Sequence, residues 1–146
     1  MNVKDYLGQG RLLDQRINYN LRRLQVMRAG VDGLCSPQIK ADKVQTSPDG
    51  DPPYVKALMR IADLNERIDQ EIDLLVDLRN QIDETIKTVE NDDYQMLLLY
   101  RYIEKRSWEN IGEQLGVDRS TVKRWHREAL QMVRLPENPI IIRNPW

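Results

Sequence analysis

Ser107–Val133, SWENIGEQLGVDRSTVKRWHREALQMV, reads as two short helices joined by a glycine turn. Trp108, Ile111 and Leu115 recur at helical spacing and give the first helix one apolar face, and Gly116 readily adopts the left-handed conformation that ends a helix. Val117 fills the corner between the helices. Asp118 is placed to cap the second helix, because its carboxylate can accept from the free N–H groups of the first turn. Along that second helix Val122, Trp125, Ala129, Leu130 and Val133 fall on one side, whereas Arg119, Ser120, Lys123, Arg124 and Arg127 fall on the other. One face packs and the other is left to meet phosphates, which is the pattern of a helix-turn-helix.

Extending the window to residues 94–133, YQMLLLYRYIEKRSWENIGEQLGVDRSTVKRWHREALQMV, brings in further features. A hydrophobic run ends in Arg101-Tyr102, Ser107 precedes the first helix of the motif, Leu115-Gly116-Val117 forms the turn, and Thr121-Val122 and Ala129-Leu130 follow. With these, the last third of the chain resembles the DNA-binding region four of sigma-70-type factors. The layout of the whole chain resembles the phage and prophage late-gene or autolysin transcription regulators of Gram-positive hosts (ArpU-like). By the sigma resemblance, Arg119, Ser120, Lys123 and Arg124 occupy the positions that enter the major groove. The residues before the motif lack the other sigma-factor regions. Gly112 stands where region four usually has Ala, at a cost of roughly 1 kcal/mol in helix propensity.

The 146 residues are 40% hydrophobic and 31% charged, enough for one domain or a small domain with a helical extension. The net charge of −1 conceals an uneven distribution. Residues 1–30 carry six basic and two acidic side chains, residues 55–93 five basic and eleven acidic, so these two segments are expected to pack together. From Arg119 to Arg134 five basic groups stand against Glu128 alone, as on a phosphate-facing helix. Cys35 is the only cysteine and His126 the only histidine, which excludes an intrachain disulfide and a zinc site built from Cys and His. A reducing cytoplasm fits this usage. No apolar run approaches the ~20 residues that span a bilayer, and no membrane role is expected.

Val3, Tyr6, Gly10, Leu13, Ile17, Asn20, Leu24 and Met27 are spaced alternately by three and four, a heptad seam. The spacing predicts a helix of roughly 25 residues, about 37 Å long, ending near Ala29 at Gly30 and Gly33. Residues 31–53 are dense in Gly, Pro, Ser and Asp and read as a mobile connector. A second seam follows: Leu58, Ile61, Asn65, Ile68, Ile72, Leu75, Arg79, Ile82, Ile86 and Val89. Leu64 and Leu78 recur beside the seam, and Met59 and Val76 on its other flank widen the apolar stripe, so the outer face of an antiparallel hairpin is expected to be buried by a second copy of the chain. Pairing the seams from the connector outward sets Asn20 beside Asn65, and a polar pair in an apolar seam fixes register. Arg79 falls opposite Tyr6.

The expected organisation is therefore all-α. Residues 1–91 form a coiled-coil-like helical hairpin for oligomerisation, with Leu58, Ile61, Asn65, Ile68, Ile72, Leu75, Ile82 and Ile86 on its seam. Residues 92–134 form the helix-turn-helix domain, with Asn91, Asp92 and Asp93 as cap and a core helix from Tyr94 to about Lys105. Residues 135–146 form an apolar tail with Ile140, Ile141, Ile142 and Trp146, which packs on its own domain, on a second subunit or on polymerase.

Among site residues, Arg119 or Arg124 can reach a guanine edge with two hydrogen bonds, while Lys123 and Arg127 suit phosphates. Ser107 and its helix N-terminus add a backbone phosphate contact. Trp108 and Trp125 are expected in the core, and His126 at the surface or boundary. The acidic series Asp63, Glu66, Asp69, Glu71, Asp73, Asp77, Asp83 and Glu84 reads as a solvated or salt-bridged coiled-coil face, and no catalytic or metal-binding spacing is present. The expectation is a cytoplasmic, non-enzymatic regulator that needs no cofactor. It binds double-stranded DNA as a homodimer or higher homo-oligomer and contacts RNA polymerase as a possible further partner. Two rivals remain: a phage small terminase subunit, which would form a large ring on packaging-site DNA, and a sigma-like protein that binds polymerase and only weakly binds free DNA.

Overall fold

A computed structural model describes residues 1–34 and 52–142. The described residues form five α-helices and no strand: α1 (Val3–Leu34), α2 (Pro53–Lys87), α3 (Asp92–Leu98), α4 (Trp108–Leu115) and α5 (Arg119–Met132), with a π-helical turn, Leu99–Ile103, continuing α3. The chain divides into two compact units, Gln15–Asp73 and a second made of Met1–Asp14 with Leu74–Trp146. Both long helices contribute to each unit.

In α1 the heptad seam is buried as its spacing requires. Tyr6, Gly10, Leu13, Ile17, Asn20 and Leu24 are all inaccessible and Met27 is half-buried. The helix does not stop at Gly30 but runs on to Leu34, because Val31 continues the seam and is buried against Leu24, Ile61, Leu64 and Ile68. Glycine weakens a helix interior by ~1 kcal/mol, which burial of one further aliphatic side chain offsets. Most of the expected connector lies outside the described residues. Its first four positions are helical and Pro53 opens α2, where its missing N–H leaves no intrahelical bond unmade.

The seam of α2 differs from expectation by one residue in every second position. The buried series is Ile61, Leu64, Ile68, Glu71, Leu75, Leu78, Ile82 and Thr85, continuing through Ile86 and Val89. Asn65 and Arg79 are half-buried flanking residues, and Leu58 and Ile72 are 47% and 39% exposed. The choice turns on Glu71. Its carboxylate sits in the seam because Arg16 Nη2 lies 2.8 Å from Oε1 and Asn20 Nδ2 donates to Oε2 at 3.2 Å. Asn20 is thus satisfied by Glu71 and not by Asn65. With that ion pair holding the polar position, Leu64 and Leu78 join the apolar stripe in place of Asn65 and Arg79.

In the other unit Tyr6, Leu7, Leu78, Ile82, Ile86, Leu97, Leu98, Ile111, Val122 and Ala129 are all buried. Gln95 closes the end of α2, its side-chain amide donating to the carbonyls of Lys87 and Val89 at 3.1 and 3.2 Å. Asn91 caps α3 by accepting from the Tyr94 N–H. The segment after α5 is extended and is held by two glutamine side chains. Gln81 donates to the Asn138 carbonyl and accepts from the Ile140 N–H, at 2.9 and 2.8 Å. Gln9 donates to the Ile140 carbonyl and accepts from the Ile142 N–H, at 2.8 and 2.7 Å. The tail therefore packs on its own unit as far as Ile142. Trp146 lies outside the described residues.

Candidate nucleic-acid interface

The motif is built from its caps inward. Ser107 accepts from the Asn110 N–H at 3.2 Å and starts α4, and Gly116, at φ 72°, ends it in the left-handed region. The N–H groups of Gly116 and Val117 both turn back to the carbonyl of Gly112, the latter at 2.9 Å. Asp118 starts α5, accepting from the Thr121 N–H at 3.0 Å and from the Ser120 hydroxyl at 3.1 Å, and these bonds hold its carboxyl below the ordinary range. All three boundary residues act as the sequence suggests.

Gly112 has a reason that its helix propensity conceals. A Cβ there would lie 2.7 Å from the Val117 carbonyl oxygen and 3.5 Å from a Val122 methyl. The turn folds so closely over the last turn of α4 that glycine is needed for clearance.

The orientation of α5 is set by Val122, His126, Ala129 and Val133, which are buried, while Trp125 and Leu130 are half-buried. His126 is thus a buried residue, contrary to the surface or boundary position expected. Its Nε2 lies 2.7 Å from the Tyr102 hydroxyl, and its ring meets Trp108 edge-on, centroids 4.8 Å apart. Burial, with the nearby charges of Lys4 and Arg101, lowers the imidazole pKa to about 4, and burial pushes Tyr102 up to about 12. Both are neutral near pH 7, and one proton serves the bond between them. Trp108 is half-buried, with the Arg101 guanidinium 4.0 Å above its ring, and Trp125 rests against Tyr94 at 6.0 Å.

The π turn supplies both Arg101 and Tyr102. Glu104 N–H reaches back to Leu99 and Arg106 N–H to Tyr100, and Arg101 donates to the Arg106 carbonyl at 3.0 Å. Lys105 takes a positive φ of 57° and pairs with Asp14 of α1. Neither the widened turn nor this pairing has a sequence signature as plain as a cap.

Arg119, Ser120, Lys123, Arg124 and Arg127 are all exposed along the opposite side of α5, and Ser107 is exposed at the start of α4. Only Arg119 of the five lies near a carboxylate that belongs to the preceding helix, 3.7 Å from Glu109, a solvent-exposed contact of little energetic weight. The acidic α2 series is exposed or half-exposed except for the buried Glu71. Among the described residues no cluster of His, Cys, Asp or Glu is arranged to hold a metal ion, and no helix is long and apolar enough to cross a membrane.

A family model described as a protein of unknown function, DUF722, matches residues 9–134. The chain belongs to the DUF722 family. The match runs from within α1 through α2 and the whole of α3 to α5, so in this DUF722 member the seam of α2, the Arg16–Glu71 pair and the exposed basic face all lie within the family's span. No curated protein and no solved structure matches the chain.

Proposed function

We propose that this DUF722 protein is a sequence-specific DNA-binding transcription regulator. In this reading α4 and α5 are a helix-turn-helix, and α1 with α2 is an antiparallel coiled-coil-like hairpin. The observation that carries it is the two-sided character of α5. Val122, His126, Ala129 and Val133 fix one face in the core, so that Arg119, Ser120, Lys123, Arg124 and Arg127 project together from the other. A second helix of such a motif enters the major groove with its N-terminal residues while the first crosses the backbone. Arg119 and Arg124 are the candidates for a guanine edge, and Lys123, Arg127 and Ser107 for phosphates. The chain binds rather than catalyses, in the cytoplasm, and the resemblance to region four and to ArpU-like regulators supplies the further reading of phage or prophage late-gene control through RNA polymerase.

Self-association is the second half of the proposal. Contacts of increasing number along α1, from Arg16 and Asn20 to Leu24, meet decreasing numbers along α2, from Glu71 to Ile61, which supports the antiparallel arrangement. Outside that seam Leu58, Met59, Ile72 and Val76 are 39–57% exposed, and Leu12, Tyr19 and Val26 of α1 are exposed at intervals of seven. An outer apolar stripe at heptad spacing suits a second copy of the same helices. A dimer presents two recognition helices to two half-sites.

The test is retention of fragmented source-genome DNA at low salt by wild type and by an Arg119→Ala/Lys123→Ala/Arg124→Ala variant, with light scattering for the oligomeric state. Wild type should bind and the variant, with unchanged helicity and melting temperature, should lose at least about tenfold in affinity. Equal retention by both proteins would refute the recognition-helix assignment.

A further inference from the structure

In the unit built from Met1–Asp14 and Leu74–Trp146, the first turns of α1 and the segment entering α4 enclose an open depression of about 840 Å³. Its rim carries Lys4 and Arg11 from α1, Arg101 from the π turn, and Ser107 and Trp108 from the start of α4. Lys4 and Arg11 are exposed, and neither is paired with a carboxylate among the described residues. Arg101 is held by a carbonyl and an aromatic ring, neither of which neutralises it. The fourth cation, Lys105, is already matched by Asp14, so three unpaired cations share the lining with a single carboxylate, Asp5, and the excess is two positive charges.

These charges act on one another. Burial holds the Arg101 guanidinium below its ordinary value, opposed by Tyr102 and helped by the charge of Arg11, and after burial Lys4 and Arg101 act to lower the pKa of His126. Like charges gathered from separate elements destabilise the empty depression and favour an anion in it.

The position of the depression selects the anion. Ser107 caps α4 at the rim, and Glu109, two residues on, reaches Arg119 at the start of α5. The depression therefore opens at the end of α4 that adjoins the leading end of the recognition helix. In a helix-turn-helix complex the first helix crosses the sugar-phosphate backbone, and a helix N-terminus that meets a phosphate there favours its charge.

We infer that Lys4 and Arg11, together with Arg101 and the N-terminus of α4, form a phosphate clamp that takes the DNA backbone beside the half-site and extends the interface onto α1. The clamp rests on the DNA-binding reading above. It adds affinity without sequence preference, because phosphates carry none. It also ties DNA binding to α1, the helix proposed for self-association.

The experiment measures the salt dependence of affinity for an enriched genomic fragment with the full chain, for wild type, Lys4→Ala/Arg11→Ala and Arg124→Ala. Both α1 side chains are exposed and make no ion pair among the described residues, so their loss should leave the melting temperature of the free protein unchanged or slightly raised. Removing two phosphate contacts should lower the log–log salt slope by about 1.8 and the affinity about tenfold or more near 0.1 M salt, equally on enriched and unrelated fragments. Arg124→Ala should instead reduce the preference for the enriched fragment. An unchanged slope in Lys4→Ala/Arg11→Ala, with Arg124→Ala impaired, would overturn the clamp alone. Failure of wild type to bind DNA at any salt would overturn both. Thermal stabilisation of wild type by millimolar inorganic phosphate or ATP but not of the double variant, with the DNA slope unchanged, would reassign the depression to a small anion and overturn the DNA clamp.

Discussion

Gly112→Ala isolates the closest backbone approach in the motif. By helix propensity alone the substitution should stabilise, since alanine in a helix interior is favoured over glycine by about 0.8–1.0 kcal/mol. The new Cβ would sit 2.7 Å from the carbonyl oxygen of Val117. That oxygen belongs to the backbone of the turn, and the turn is pinned: the Gly116 and Val117 N–H groups both bond to Gly112, and Asp118 immediately caps α5. Relief therefore requires α4 and α5 to separate, disturbing Ile111 and Val122, both fully buried. Overpacking of this kind costs about 1–3 kcal/mol, with a midpoint near 2 that is about twice the propensity gain. The net expectation is a destabilisation of about 1 kcal/mol and at most about 2 kcal/mol, or a melting temperature lower by about 3–8 °C for a chain of this size. Gly30→Ala is the matched control, because that helical position has nothing within 4 Å of the added methyl. It should stabilise by up to about 1 kcal/mol. Circular dichroism melts of the two variants beside wild type give the answer. If Gly112→Ala melts at or above wild type, the close turn is not a constraint and the orientation of α5 loses its main support.

Three further perturbations address other parts of the molecule. Glu71→Ala removes the carboxylate that Arg16 and the buried Asn20 share and should destabilise by about 3 kcal/mol in urea denaturation, whereas the exposed Glu66→Ala should change stability by less than about 0.5 kcal/mol. Because folding lowers the His126 pKa to about 4, the neutral ring favours the fold fully above about pH 6.5, and that contribution is lost as pH falls from there toward 4. The melting temperature of wild type should fall more steeply over this window than that of His126→Phe. Gln81→Ala removes the acceptor for the Ile140 N–H. Hydrogen exchange should then show faster exchange at Ile140, with the amides of α5 unaffected.

Much of this structure is written locally. Asn91, Ser107 and Asp118 act as caps and Gly116 as the left-handed stop, because a cap needs only its own side chain and the next three residues. The α1 seam is equally plain, since no competing phase offers as many apolar residues. The α2 seam is not. Asn65, Ile72 and Arg79 on one phase compete with Leu64, Glu71 and Leu78 on the other, and the decision comes from Arg16 and Asn20, more than fifty residues earlier in the chain. His126 is misplaced for a similar reason. A histidine flanked by Trp125 and Arg127 looks like a boundary residue until Tyr102 and Trp108, brought by other elements, satisfy and enclose its ring. The basic face of α5 was legible as a set, while the cations of α1 that adjoin α4 became visible only when the chain was folded.

The most direct test of DNA recognition is selection of bound fragments from the source genome, comparing wild type with Arg124→Ala at two salt concentrations. The account predicts a short enriched motif with two half-sites, weakened by the substitution and bound less tightly at high salt. No enrichment at either salt by a folded wild-type protein would contradict it.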